Sequence, residues 1–206
     1  MEVLKKVALS FAVVMLMSVV VVAQDNASQQ AAFLTSYQLE AKGDYAKAVD
    51  ALKSSYNDTY ETNMRLGWLC YMGGQLAESV TYYKKATDAQ PYSIEAKFGV
   101  VLPLAAMGNW DQVVARYKDI LQIDAEQITA LYRLGLIFYN RSDFENAKSN
   151  FERVVNLYPM DYSSTLMLAW TYTELKKPVE AKVLFNKVLL LSPSDKSATA
   201  GLAVMK

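Results

Sequence analysis

A period of 34 residues governs this chain from one end of its polar portion to the other. Tyr83, Tyr117, Phe151 and Phe185 follow one another at that interval, and so do Gln75, Asn109, Asp143 and Lys177. Pro159 and Pro193 are one period apart, Pro91 stands two periods before Pro159, and Gly67 and Gly135 are separated by 68 residues. Independent columns that agree on one interval mark a structural unit copied along the chain, each copy burying its apolar face against the next. The best-formed copy, Ile128 to Asp161, reads as two amphipathic helices joined by the polar break Arg141-Ser142-Asp143 and closed by Pro159. A chain built this way is all-α.

The columns carry recognisable residue types. Leu131-x2-Leu134-Gly135-x2-Phe138, then Ala147-x3-Phe151, then Pro159 resembles the tetratricopeptide repeat, whose signature runs W-x2-L-G-x2-Y, A-x3-F, P. Leu168-Ala169-x2-Tyr172 with Ala181-x3-Phe185 and Pro193, and Leu66-Gly67-x2-Cys70 with Ser79-x3-Tyr83 and Pro91, repeat the match. The copy holding Val100-Val101-x2-Leu104 lacks the Gly and the Pro, and the first, around Ala48-x3-Leu52, precedes its successor by only 31 residues. The resemblance implies an α-solenoid, a right-handed superhelix of helix-turn-helix repeats over 29–59, 60–93, 94–127, 128–161 and 162–195. Residues 24–28 form a polar lead-in, and 196–206 begin a partial C-terminal capping helix.

The paired helices are expected near 29–41 and 44–56, 60–73 and 76–89, 94–107 and 110–122, 128–140 and 143–157, and 162–175 and 178–191. Small residues such as Gly67 and Gly135 let helices approach closely, and the aromatic of the Ala-x3-Phe column fills the space between units. Ser93, Asp161 and Ser194 are placed to cap the helices that follow, as are Asp44, Asn109 and Asp143 for the second helices. Pro178 falls in the first turn of its helix, where a missing amide hydrogen costs little. Pro103, with Gly99 four residues before it, predicts a kink in the middle of the array: drift in a weak repeat, or a hinge.

Met1 to Ala23 is a different material. Lys5 and Lys6 precede an apolar run from Val7 to Val22, and Val21-x-Ala23 offers a small-residue cleavage pattern. This reads as a secretory signal peptide cut before Gln24, the alternative being an uncleaved anchor formed by residues 7–22 in the inner membrane. Export without a second cysteine points to a bacterial periplasm or envelope. The lone Cys70 occupies a core column and is expected to be buried and inert.

Composition excludes much. The formal net charge is zero and no basic block occurs, which argues against nucleic acid. There is no histidine, no Gly-rich phosphate loop and no second cysteine, so catalysis, a metal site and a cofactor are all unexpected. Function in this repeat family is implied to sit on the concave face lined by first helices. There the sequence places Phe33 and Tyr37; Met64, Arg65, Trp68, Tyr71 and Met72; Phe98 and Leu102; Tyr132, Arg133, Leu136 and Tyr139; and Leu166 and Trp170. Each large apolar side chain gains about 1.5–3 kcal/mol on full burial, enough for several to anchor a partner protein or an extended peptide. Phe33 and Tyr37 stand where chaperone-binding members carry a Lys/Asn carboxylate clamp, so that clamp is absent. A structural spacer or a homo-oligomer formed through the C-terminal helix, by way of Leu202 and Val204, is the alternative.

Overall fold

The computed structural model describes residues 26–205, and its regular structure there is entirely helical. The chain divides into two compact units, one ending at Met107 and the other beginning at Gly108, a boundary that falls inside the third repeat. The first unit holds α1 (26–40), α2 (Tyr45–Lys53), α3 (Tyr60–Met72), α4 (Leu76–Ala89) and α5 (Ile94–Ala106). The second holds α6 (Trp110–Ile123), α7 (Ile128–Asn140), α8 (Phe144–Leu157), α9 (Tyr162–Glu174), α10 (Pro178–Leu191) and α11 (Lys196–Ala203). Odd-numbered helices are the first helices of their repeats and even-numbered ones the second. The signal-peptide reading of Met1–Ala23 lies outside the described residues.

Each first helix after α1 opens on a side-chain cap. Thr59, Ser93, Gln127, Asp161 and Asp195 accept from the amide three residues on, and these five positions are spaced by the repeat. The cap of α11 is thus Asp195, bonded to the Ala198 amide at 2.7 Å, and not Ser194. Second helices begin differently. Asp44 and Asn109 make no side-chain cap, the Asp44 carboxylate being taken by Lys47 at 2.6 Å, and only Asp143 fills the expected role. What sets the entrance of each second helix is a residue at positive φ just before it: Gly43, Gly74, Gly108, Ser142 and Lys176. After Gly43, Gly74, Ser142 and Lys176 the next amide reaches the carbonyl five residues back, as from Gln75 to Cys70 at 2.8 Å and from Lys177 to Tyr172 at 2.9 Å. This satisfies the carbonyls that a helix end leaves open.

The packing rests on an aromatic held between small residues. Tyr83 lies against Gly67 of its own repeat, where a Cβ would stand 2.8 Å from the ring, and against Gly99 of the next. Phe151 covers Gly135, and Phe185 covers Gly201. Gly99 and Gly201 are three periods apart and form a second glycine column facing the preceding aromatic. The role of Gly99 is therefore to admit Tyr83 rather than to make room for Pro103. Helix α5 runs unbroken from Ile94 to Ala106 with buried Pro103 inside it.

The shortened first repeat is closed by polar contacts. Helix α2 stops at Lys53, earlier than its pattern suggests, because Tyr56 turns inward against the Tyr82 ring. Its hydroxyl meets Asp58, Asn63 and the Lys85 ammonium, and Asp58 takes a positive φ. This cluster substitutes for the proline turn of the longer repeats.

Candidate functional site

On the first-helix face of the first unit, α1 and α3 bring several of the expected residues together. Their centre is Arg65, which is not a solvated edge residue: only 8% of it is exposed. Its Nη1 pairs with Glu40 Oε2 at 2.6 Å and its Nε donates to Ser36 Oγ at 3.1 Å. Its guanidinium lies 3.7 Å from the centroid of the Tyr37 ring, which is 54% exposed and forms the outer surface. A buried arginine needs such a partner, because an uncompensated charge taken from water costs several kcal/mol. The same Glu40 accepts from Trp68 Nε1, fixing the indole, and Tyr71 lies against Trp68 with ring centroids 6.0 Å apart. Burial pushes the Glu40 carboxyl upward, but the hydrogen bonds from Trp68 and Arg65 and the charge of Arg65 outweigh it and hold the group below its ordinary range. Arg65 Nη2 is buried without a hydrogen-bond partner.

Phe33 and Trp68 are half-buried and rest on the core of Ala48, Val49, Leu52, Leu66, Leu69 and Cys70. Met64 and Phe98 are half-buried, whereas Met72 and Leu102 are exposed. Cys70 is fully buried, and desolvation pushes its thiol up to about 11, which leaves it protonated and unreactive at neutral pH.

The second unit uses its expected residues for packing. Tyr132, Leu136 and Tyr139 rest on the cluster of Ala147, Phe151 and Leu168. Tyr132 meets Phe151 at 5.9 Å and Tyr139 meets Phe144 edge-on at 5.5 Å. Trp170 stands edge-to-face on Phe185 at 5.1 Å and donates to Ser197 Oγ at 2.9 Å, while Leu166 joins the same cluster. These side chains join adjacent helices rather than stand as a free aromatic surface. Arg133, the sequence equivalent of Arg65, is exposed on α7. Sequence reasoning missed Glu40 and Ser36. Ser36 stands 31 residues before Gly67, in the small-residue column, whereas the column of Glu40 holds Tyr71 and Tyr139 in later copies and gives no sign of a carboxylate.

Among the described residues no group of three or more His, Cys, Asp or Glu is placed to hold a metal ion, and no helix is long and apolar enough to cross a membrane. Sequence models of the tetratricopeptide repeat match residues 39–94, 129–159 and 162–195, together more than half of the chain. The chain belongs to the tetratricopeptide repeat family. A solved tetratricopeptide repeat protein from Parabacteroides merdae ATCC 43184 is similar in fold, with TM-score 0.72 and 21% identity over 86% of this chain and 72% of that one. MamA from Desulfovibrio magneticus RS-1 gives TM-score 0.67 at 17% identity, over 82% and 97% of the two chains. YrrB, described as a tetratricopeptide repeat protein with an unusual peptide-binding site, gives 0.67 at 13% identity, over 86% and 93%. At these identities the likeness is one of fold. Among curated proteins, the Protein CTR9 homolog of Arabidopsis thaliana is 23% identical over 132 residues, 64% of this chain. The chain spans 12% of that relative's length. As a tetratricopeptide repeat protein, the chain uses its signature columns to hold helices together.

Proposed function

We propose that the chain is a protein–protein interaction scaffold, with no catalytic centre of its own, that holds an extended segment of a partner on the first-helix face of its first unit. The observation that carries this reading is the exposed Tyr37 ring stacked on a buried, ion-paired Arg65, beside Trp68 and Tyr71. Glu40 fixes Arg65 and Trp68 before any partner arrives, so little side-chain freedom is lost on binding. Tyr and Trp offer apolar area with a polar handle, as partner surfaces commonly do. The similarity in fold to YrrB, with its peptide-binding site, agrees with this. The residues of the second unit that resembled groove residues serve its packing, so the partner face is assigned to Phe33, Tyr37, Met64, Trp68 and Tyr71. We further propose export by a signal peptide over Met1–Ala23, to a bacterial periplasm or envelope, on the apolar run and the Val21-x-Ala23 pattern.

Affinity capture from envelope extract tests the first reading, comparing the parent with a Tyr37→Ala/Tyr71→Ala variant of unchanged helicity. A partner held by the parent and lost by the variant is the expected result. Equal retention by both moves the site away from this face. The mass of the protein recovered from the envelope fraction tests the second: an N-terminus at Gln24 is expected, and retention of Met1 overturns it.

A further inference from the structure

Helix α10 is apolar on two opposite faces. One carries Ala181, Phe185 and Val188, all fully buried. The other carries Val179, Val183 and Leu190, which are 72%, 63% and 83% exposed. At 3.6 residues per turn these three lie within about 40° of one another, on the side away from the core. In α4, α6 and α8 the same columns read Ala77, Thr81 and Asp88; Asp111, Ala115 and Gln122; and Glu145, Ser149 and Asn156. All nine are small or polar, as a solvated face requires. The repeat therefore does not demand Val, Val and Leu here, and α10 departs from it in one direction at three positions.

We propose that this face of α10 docks a second copy of the chain, the two α10 helices packing antiparallel about a two-fold axis. The charges beside the stripe select that occupant. Glu180 and Lys187 lie on one flank, two turns apart, and neither forms an ion pair within the described residues. A two-fold pairing sets each flank against its own copy. With Val179 opposite Leu190 of the second copy, Glu180 stands within about 3 Å along the axis of that copy's Lys187, and the pair occurs twice. On the other flank Lys182 meets Asn186, so no like charges are brought together. A face carrying both signs in this order complements itself. A partner of uniform charge fits it less well. One helix of 14 residues spans about 21 Å, a small interface beside the roughly 1,600 Å² of a standard complex, so the dimer is weak and concentration-dependent. No first-helix residue of the proposed partner face takes part in this contact.

Sedimentation velocity on the purified chain, from micromolar to near-millimolar concentration, tests it. The parent is expected to move from the monomer mass towards twice that mass, and Val183→Glu is expected to remain monomeric at every concentration. Val183→Glu should fold normally, since Thr81, Ala115 and Ser149 fill the same column, and circular dichroism checks this. Glu180→Lys and Lys187→Glu are each expected to weaken association roughly tenfold, and the double reversal to restore it. A parent that stays monomeric throughout overturns the proposal. So does a dimer that Val183→Glu leaves intact, or binding of this face to phosphatidylcholine vesicles in place of self-association.

Discussion

Two residue-level arrangements contribute to stability in different ways. The first is the contact between ring and glycine. A Cβ on Gly135 would stand 2.6 Å from Phe151 Cε1, well inside ordinary contact, with the ring fully buried behind it. Alanine is the better helix former by about 1 kcal/mol, but overpacking a closed core costs about 1–3 kcal/mol. Gly135→Ala is therefore expected to lower stability by up to about 2 kcal/mol in urea denaturation, and Phe151→Leu in the same chain to cost less than the two single losses together. Strict additivity would show that ring and glycine do not touch. The second arrangement is Glu40. Its carboxyl ionises at a lower pH in the folded chain than unfolded, so its contribution is present at neutral pH. That contribution disappears as the pH falls from the ordinary value of 4.5 through the depressed one. Glu40→Gln should thus be less stable than the parent near pH 7, and the difference should shrink as the pH falls through the depressed value. Thermal midpoints from pH 7 downward decide it, and a constant difference would mean that Glu40 acts by shape alone.

At the scale of the element, the turns between first and second helices show how one conformation is met by different residues. Gly43, Gly74 and Gly108 take φ near +75° without a Cβ, whereas Ser142 and Lys176 hold φ of 58° and 59° with one. An L-residue pays about 1–2 kcal/mol there, partly offset by the freedom that glycine loses on folding. Lys176→Gly is expected to raise stability by about 0.5–1 kcal/mol, read as a higher urea midpoint with unchanged slope. An unchanged or lower midpoint would show that the lysine side chain contributes more than its backbone costs. Helix bounds were largely legible beforehand, because apolar spacing and turn residues are local signals: α7 and α10 fall at 128–140 and 178–191 as the pattern predicts. The end of α2 was not, because the turn of Tyr56, Asp58 and Asn63 is completed by Lys85, which lies a helix further along the chain.

For the whole molecule, the sequence by itself determined the fold class, the family and the columns that hold the helices together. A repeated unit leaves its record at a fixed interval, and each column has one local physical task. It also showed Cys70 to be a core residue, since the column it occupies holds Leu104, Phe138 and Tyr172 in later copies, and Cys70 is fully buried. What only the tertiary structure decided is which aromatics face outward and which are consumed by packing. Tyr37 and Trp170 look alike on a helical wheel, yet one is exposed over Arg65 and the other is spent on Phe185 and Ser197. Arg65 and Arg133 share a column, yet one is buried with Glu40 and the other is exposed, because Glu40 exists in only one repeat. Periodicity reports what the copies have in common. Individual sites arise where one copy differs from the rest, and the physical outcome of that difference depends on neighbours brought together only by folding.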